Sequence, residues 1–241
     1  MITYDPSTAA FRGPNTEIDG LRDALADPGR GPVAEVLAGL APEIPPDPGS
    51  AALGEALRRP LFTLEVGVSG PGAQHRHRLI AADTGVGVRT SPLKDGLSEL
   101  AAFPLATLPG GITRLVRFRP GPAPAEDAPT IPVPVDDLGA LASSDAAERR
   151  RGWDLVGAAL DAALPPAADP SWQIVEVRCT WTSVDGTDAE DLSVHLRRGD
   201  DHLLVQESDE GMLLVPVTSI RAWESMIHVL PEQSEIAPPR A

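Results

Sequence analysis

An α+β fold of two pseudo-two-fold-related halves, each an antiparallel meander plus a helix and both joined in one domain, is what this sequence predicts. Three observations predict it. Runs of alternating apolar residues recur between turns rich in Gly, Pro and Asp. The run PLFTLEVGVSG at 60–70 is answered by SWQIVEVRCTW at 171–181, with Glu65 matching Glu176 and Val66 matching Val177. After each run the same order follows: turn, strand, turn, strand, helix.

The first fifty residues are broken by Pro and Gly and leave room only for short helices, about 17–26, about 32–40 after Pro32, and about 51–58 with Ser50 as N-cap. Residues 1–50 are therefore expected to be a loosely packed lead-in. From Leu61 the period changes to two. Leu61, Thr63, Glu65 and Gly67 alternate with Phe62, Leu64, Val66 and Val68, and the second set is the buried face. SGPGAQ is a turn, RHRLIAAD (76–83) the returning strand, and VGVRT a third strand after Thr84-Gly85.

KDGLSELAAF (94–103) places Leu97, Leu100 and Ala101 at helical spacing and is expected to form a helix. ITRLVRF (112–118) and TIPVPV (130–135) are expected to be strands, the second at an edge because of Pro132 and Pro134. PGPAPAEDAP between them has the composition of a linker. Ser144 would cap the longest helix, about 145–164, whose Trp153, Val156 and Leu160 repeat every three or four residues until Pro165-Pro166.

The second copy then runs through Val175, Val177 and Cys179, an acidic turn VDGTDAED, LSVHLRR, HLLVQE and MLLVPV, to a helix at about 218–229. The expected organisation is a lead-in over 1–50, a duplicated domain over 51–230 with halves 51–143 and 144–230, and a flexible tail over 231–241.

Composition narrows the function. With 42% hydrophobic residues the chain can build a real core, and its net charge of −15 sets its far field against phosphate backbones and anionic lipid. Nucleic acid and membrane surfaces are thereby disfavoured as partners. The start has no basic n-region, and no apolar run approaches the roughly 18 residues of a membrane span, so a cytoplasmic protein is expected. A single cysteine, Cys179, reads as a small buried hydrophobe. Arg supplies every basic residue except Lys94, a bias expected of a high-G+C, actinobacterium-like genome.

The motifs supply no catalytic constellation, metal site or cofactor loop. Asp83-Thr84-Gly85 has the form of an aspartic-protease motif, but the second half carries no matching triplet to share a proton with it. His75 and His77 fall on one strand face, interleaved by Arg76 and Arg78, with no third ligand at close spacing. VDGTDAED lacks the alternating ligands of a calcium loop. Arg149-Arg150-Arg151 reads as a solvated helix face. The hairpin tips supply the candidates for contact with a protein partner: Gln74, His75, Asp83, Asp185 and Asp188.

The strings EALRRPLFTLEVGVSG, GVGVRT and PLATLPGGI, the proline-broken TIPVPVDDL, and WQIVEVRCTW through GMLLVPVTSIRAWESMI together resemble a divergent member of the EspG-type chaperones of ESX (type VII) secretion systems. The resemblance spans about residues 50–230; the chain is shorter than the family pattern and lacks its long opening helix. It implies two α+β halves about a pseudo-two-fold axis. It further implies a non-enzymatic cytosolic protein that covers the hydrophobic helical tip of a secreted PE/PPE-type substrate. Two other readings stand beside it: an acidic immunity or inhibitor protein that blocks a basic partner, and an enzyme of unrecognised type. An uncovered sheet edge would also allow a homodimer.

Overall fold

The structure, a computed structural model, describes residues 1–40, 47–167, 169–209 and 211–238. The first half contains β1 (Thr3–Asp5), β2 (Ala10–Pro14), α1 (Asn15–Ala26), α2 (Val33–Leu40), α3 (Pro48–Arg58), β3 (Pro60–Ser69), β4 (Gln74–Ala82), β5 (Val86–Pro92), β6 (Leu97–Pro104) and α4 (Leu108–Leu115). The second contains β7 (Ile131–Val133), α5 (Val135–Leu141), α6 (Ala146–Ala163), β8 (Trp172–Thr182), β9 (Asp188–Arg198), β10 (Asp201–Ser208), β11 (Gly211–Val217) and α7 (Ser219–Ile227). No helix among the described residues is long and apolar enough to cross a membrane.

All of these strands join one sheet in the order β1-β2-β6-β5-β4-β3-β8-β9-β10-β11-β7, and every paired ladder is antiparallel. Read outward from β3 and β8, the two sides repeat: a four-stranded meander, then one strand from earlier in the same half laid against its last member. β2 plays that part beside β6, and β7 beside β11. Val66 and Val177, matched in the sequence, are direct partners in the β3–β8 ladder, so the pseudo-two-fold axis passes between them. Because β7 and α5 belong to the second half, the division falls in the connector before Ile131, earlier than the expected 143/144.

Strand alternation divides the sheet into two faces. One carries Phe62, Leu64, Val66 and Val68 with Val175, Val177 and Cys179, and is covered at its centre by α4 and α7 through Leu108, Ile112 and Met226. The other carries two separate cores. Near β2 and β4–β6, Phe11, Ile80, Val88 and Leu100 pack under α1–α3. Near β8–β11, Ile174, Leu196, Leu203 and Leu214 pack under α5 and α6, where Trp153 stacks on Trp172 with ring centroids 5.1 Å apart.

Several expectations change. Of the first fifty residues, those described are not a loose lead-in (41–46 lie outside them): β2 is a sheet strand, Phe11 and Ile18 are fully buried, and Asp47 rather than Ser50 is the N-cap of α3, with Ser50 completing its capping box. The stretch 94–103 is not a helix: from Leu97 it is the strand β6, where the buried Glu99 is neutralised by Arg12 and Arg89 on the two flanking strands and the buried Ser98 donates to Asn15 Oδ1 at 2.7 Å. Residues 112–118, read as a strand, lie mostly in α4, since Leu108, Ile112 and Val116 recur every fourth residue along a helix whose first turn holds Pro109. The described part of the expected flexible tail, to residue 238, is held against the end of β8: Val184 N–H donates to Glu235 O at 3.1 Å and Ala237 N–H to Thr182 O at 2.8 Å.

Arg149, read as part of a solvated basic run, is 4% exposed and bridges the halves. Its Nε donates to Gly70 O in the β3–β4 hairpin at 3.1 Å, and its Nη1 to Ser143 O and Ser144 O at 2.9 and 2.8 Å. Arg149→Ala removes donors from three carbonyls and is expected to destabilise the protein by about 2 kcal/mol in urea unfolding. Exposed Arg150→Ala should leave the midpoint unchanged.

Candidate interaction surface

Between α3 and α6 the face carrying the two cores is left uncovered across β4, β3, β8 and β9. Its floor alternates in charge. Arg76 reaches Glu65 at 3.6 Å and Glu176 at 3.9 Å across two ladders, and Arg178 is paired with Glu190. Arg78 has no described carboxylate within ion-pairing distance. These pairs are half-exposed and add little stability, so the floor is free to exchange partners with an incoming surface.

At the end of the sheet where β3 begins and β8 finishes, the floor opens into a groove of about 560 Å³ lined by Pro60–Thr63, Thr180–Thr182 and Asp188–Glu190. The β8–β9 hairpin projects beside it, with Val184 63% exposed at the tip. Asp185 shapes that tip: one carboxylate oxygen accepts from Thr187 N–H at 3.0 Å, Thr187 Oγ1 at 2.6 Å and Ser183 Oγ at 2.8 Å. The Thr187 bonds pull its pKa down to about 2.

The five sequence-predicted contact residues do not form one cluster. Asp83, Asp185 and Asp188 share the groove end, while Gln74 and His75 lie at the far end of β4, about 25 Å away at strand rise. Gln74 is committed to the fold, donating from Nε2 to Ala142 O at 2.6 Å. Asp83 is ion-paired with Arg59, and its N–H donates to Arg59 O. His75 is exposed beside His77, ring centroids 6.4 Å apart. Only Asp188, exposed at the start of β9, lines the groove directly.

Two histidine arrangements lay beyond reach of the sequence. His77 Nδ1 is 2.9 Å from Ser91 Oγ, and burial together with His75 and Arg89 pushes its pKa down to about 4. No described carboxylate orients the ring from its other side and Ser91 is buried, so the pair is built as a strand-to-strand hydrogen bond. His195 and His202 are stacked and buried, with Nε2 of the first 3.0 Å from Nδ1 of the second. His202 Nε2 is 3.0 Å from Arg119 O and must donate to it; His202 Nδ1 then accepts from His195, whose own Nδ1 is left buried without a partner among the described atoms. Burial pushes the pKa of His195 down to about 3 and also lowers that of His202. Neither arrangement was signalled locally, since each joins residues on neighbouring strands whose register only the sheet supplies.

Cys179 is fully buried, and burial pushes its thiol up to about 12. Among the described residues no three His, Cys, Asp or Glu side chains are grouped to hold a metal ion. No family model matches the chain, and a search of the curated proteins returns no match.

Proposed function

We propose that this chain is a non-enzymatic binding protein, a cytosolic chaperone associated with type VII secretion, that covers the hydrophobic helical tip of a secreted PE/PPE-type substrate. The observation that carries the reading is the duplication: two meanders of the same strand order meet at an axis between Val66 and Val177, the organisation that resemblance to EspG-type chaperones implies. The groove at the β3–β8 end supports it as a docking place. It offers the apolar atoms of Pro60, Leu61 and Phe62 inside an acidic rim of Asp188 and Glu190.

Co-expression with a PE/PPE-type helical pair tests the reading. The complex should survive high salt, and the double variant Leu61→Asp/Val184→Asp should lose it while keeping the wild-type melting temperature. Gln74→Ala should retain it. A net charge of −15 favours a second reading, an acidic inhibitor of a basic protein. Under that reading the captured partner is basic and is released as salt rises.

A further inference from the structure

The connector between the halves is fixed at both ends. Gly121 N–H donates to Ser219 Oγ at 2.7 Å, that hydroxyl lies 3.2 Å from Gly121 O, and the far end joins the sheet as β7. Residues 122–129 form a strap between these anchors, with a turn closed by Ala128 N–H to Ala125 O at 3.0 Å. The strap encloses a cleft of about 370 Å³ against the C-terminal end of α6, the start of β10 and the end of β11.

The cleft's chemistry is one-sided. Pro122 and Pro124 on the strap face Leu164, Leu203 and Pro216 on the body of the protein, giving apolar walls that lose little side-chain freedom when a ligand fills them. Two carboxylates line it, Asp127 from the strap and Asp201 from β10, and no Lys or Arg does among the described residues. Arg198, buried behind the cleft, is turned under the end of α6, where it donates to Pro165 O and pairs with Asp161 at 3.4 Å. His202 also borders the cleft, but its ring is neutral and both of its nitrogens are occupied by Arg119 O and His195.

Apolar walls with two carboxylates and no cation in the lining complement a compact hydrocarbon body that carries one positive charge. We propose that this cleft binds a small primary amine, its ammonium held by Asp127 and Asp201 and an aromatic or branched body seated between the strap prolines and Leu164.

The test is calorimetric titration of the full-length protein with phenethylamine, using phenylacetate and phenethyl alcohol as probes of the same shape with negative and no charge. Saturable binding of the amine below about 10 mM is expected, with the acid and the alcohol at least about tenfold weaker. Asp127→Asn, at an exposed position, should weaken the amine about tenfold without disturbing the fold, and Ala163→Phe, which fills the cleft, should abolish binding. Equal binding of acid and amine, the absence of saturable binding, or amine binding that persists in Ala163→Phe would overturn the proposal. The last result would mean attraction to the acidic surface alone.

Discussion

Between pH 6.5 and pH 4 the unfolding free energy is expected to fall by about 3 kcal/mol or more, mainly because of His195. This ring is buried and neutral, with a folded pKa of about 3, whereas the unfolded chain takes up a proton near 6.5. A histidine depressed in this way contributes its full stability above about pH 6.5 and loses about 1.4 kcal/mol for every unit the pH falls toward the folded value. His202 is shifted in the same direction by the same burial, and His77, with a folded pKa of about 4, adds to the loss over the same window. Urea unfolding at half-unit pH steps measures the slope. A flat profile between pH 7 and pH 5 would show that the buried rings accept protons without cost. Asp185, lowered to about 2, loses its contribution below this window, whereas Glu99, lowered despite its burial from an unfolded value of 4.5 by its bonds to Arg12 and Arg89, adds to the loss at the acid end of it.

Gly121→Ala is expected to destabilise the protein by about 3 kcal/mol, lowering the melting temperature by several degrees. A Cβ built at this position overlaps the backbone oxygen of Asp200 and leaves the His202 ring little room, and a β-turn backbone cannot yield as the end of a flexible side chain can. The connector would have to lift, and lifting it strains a set of bonds made by other elements to the chain just before it. Gln173 Nε2 donates to Val116 O at 2.8 Å, Arg197 Nη1 to Arg117 O at 3.0 Å, and His202 to Arg119 O. Gly72→Ala, where nothing lies within 4 Å of the added methyl, is the matched control and should be neutral. Equal melting temperatures for the two variants would mean that the connector is not seated on the β9–β10 turn.

Three of the four strands of the first meander and all four of the second were legible in the sequence because they alternate cleanly and end in Gly-rich turns, and the paired runs were legible because Val66 and Val177 sit at the same point of each. What could not be read were strands whose apolar pattern is incomplete. AFRGP has only two apolar side chains that pack into the core from β2, and its membership of the sheet rests on β6 being present to receive it. In β6 itself, Glu99 is buried because Arg12 from β2 and Arg89 from β5 both reach its carboxylate, at 2.7 and 2.6 Å. Without knowledge of those neighbours, a glutamate between Ser98 and Leu100 points to a solvated helix. The hairpin tips were placed correctly as tips, but their polar residues divide between two ends of the sheet and between structural and free roles. Gln74 is spent on α5 while Asp188 faces the groove, a distinction that depends on which helix lies over which hairpin.

The sheet order sets the course of folding. Within each half the meander hairpins close over a few residues, so β3–β6 and β8–β11 can form early and separately. The β3–β8 ladder joins residues as distant in sequence as Val66 and Val177, and it carries the largest loop-closure cost in the molecule. Each half presents to the other a long strand edge whose apolar side chains have no cover until α4 and α7 close over them together. A chain that has folded one half and not the other therefore exposes a ready template for pairing, and the same β3 edge that completes the monomer can accept the β8 of a second molecule. Refolding yield should fall with protein concentration, with exchanged dimers as the trapped species.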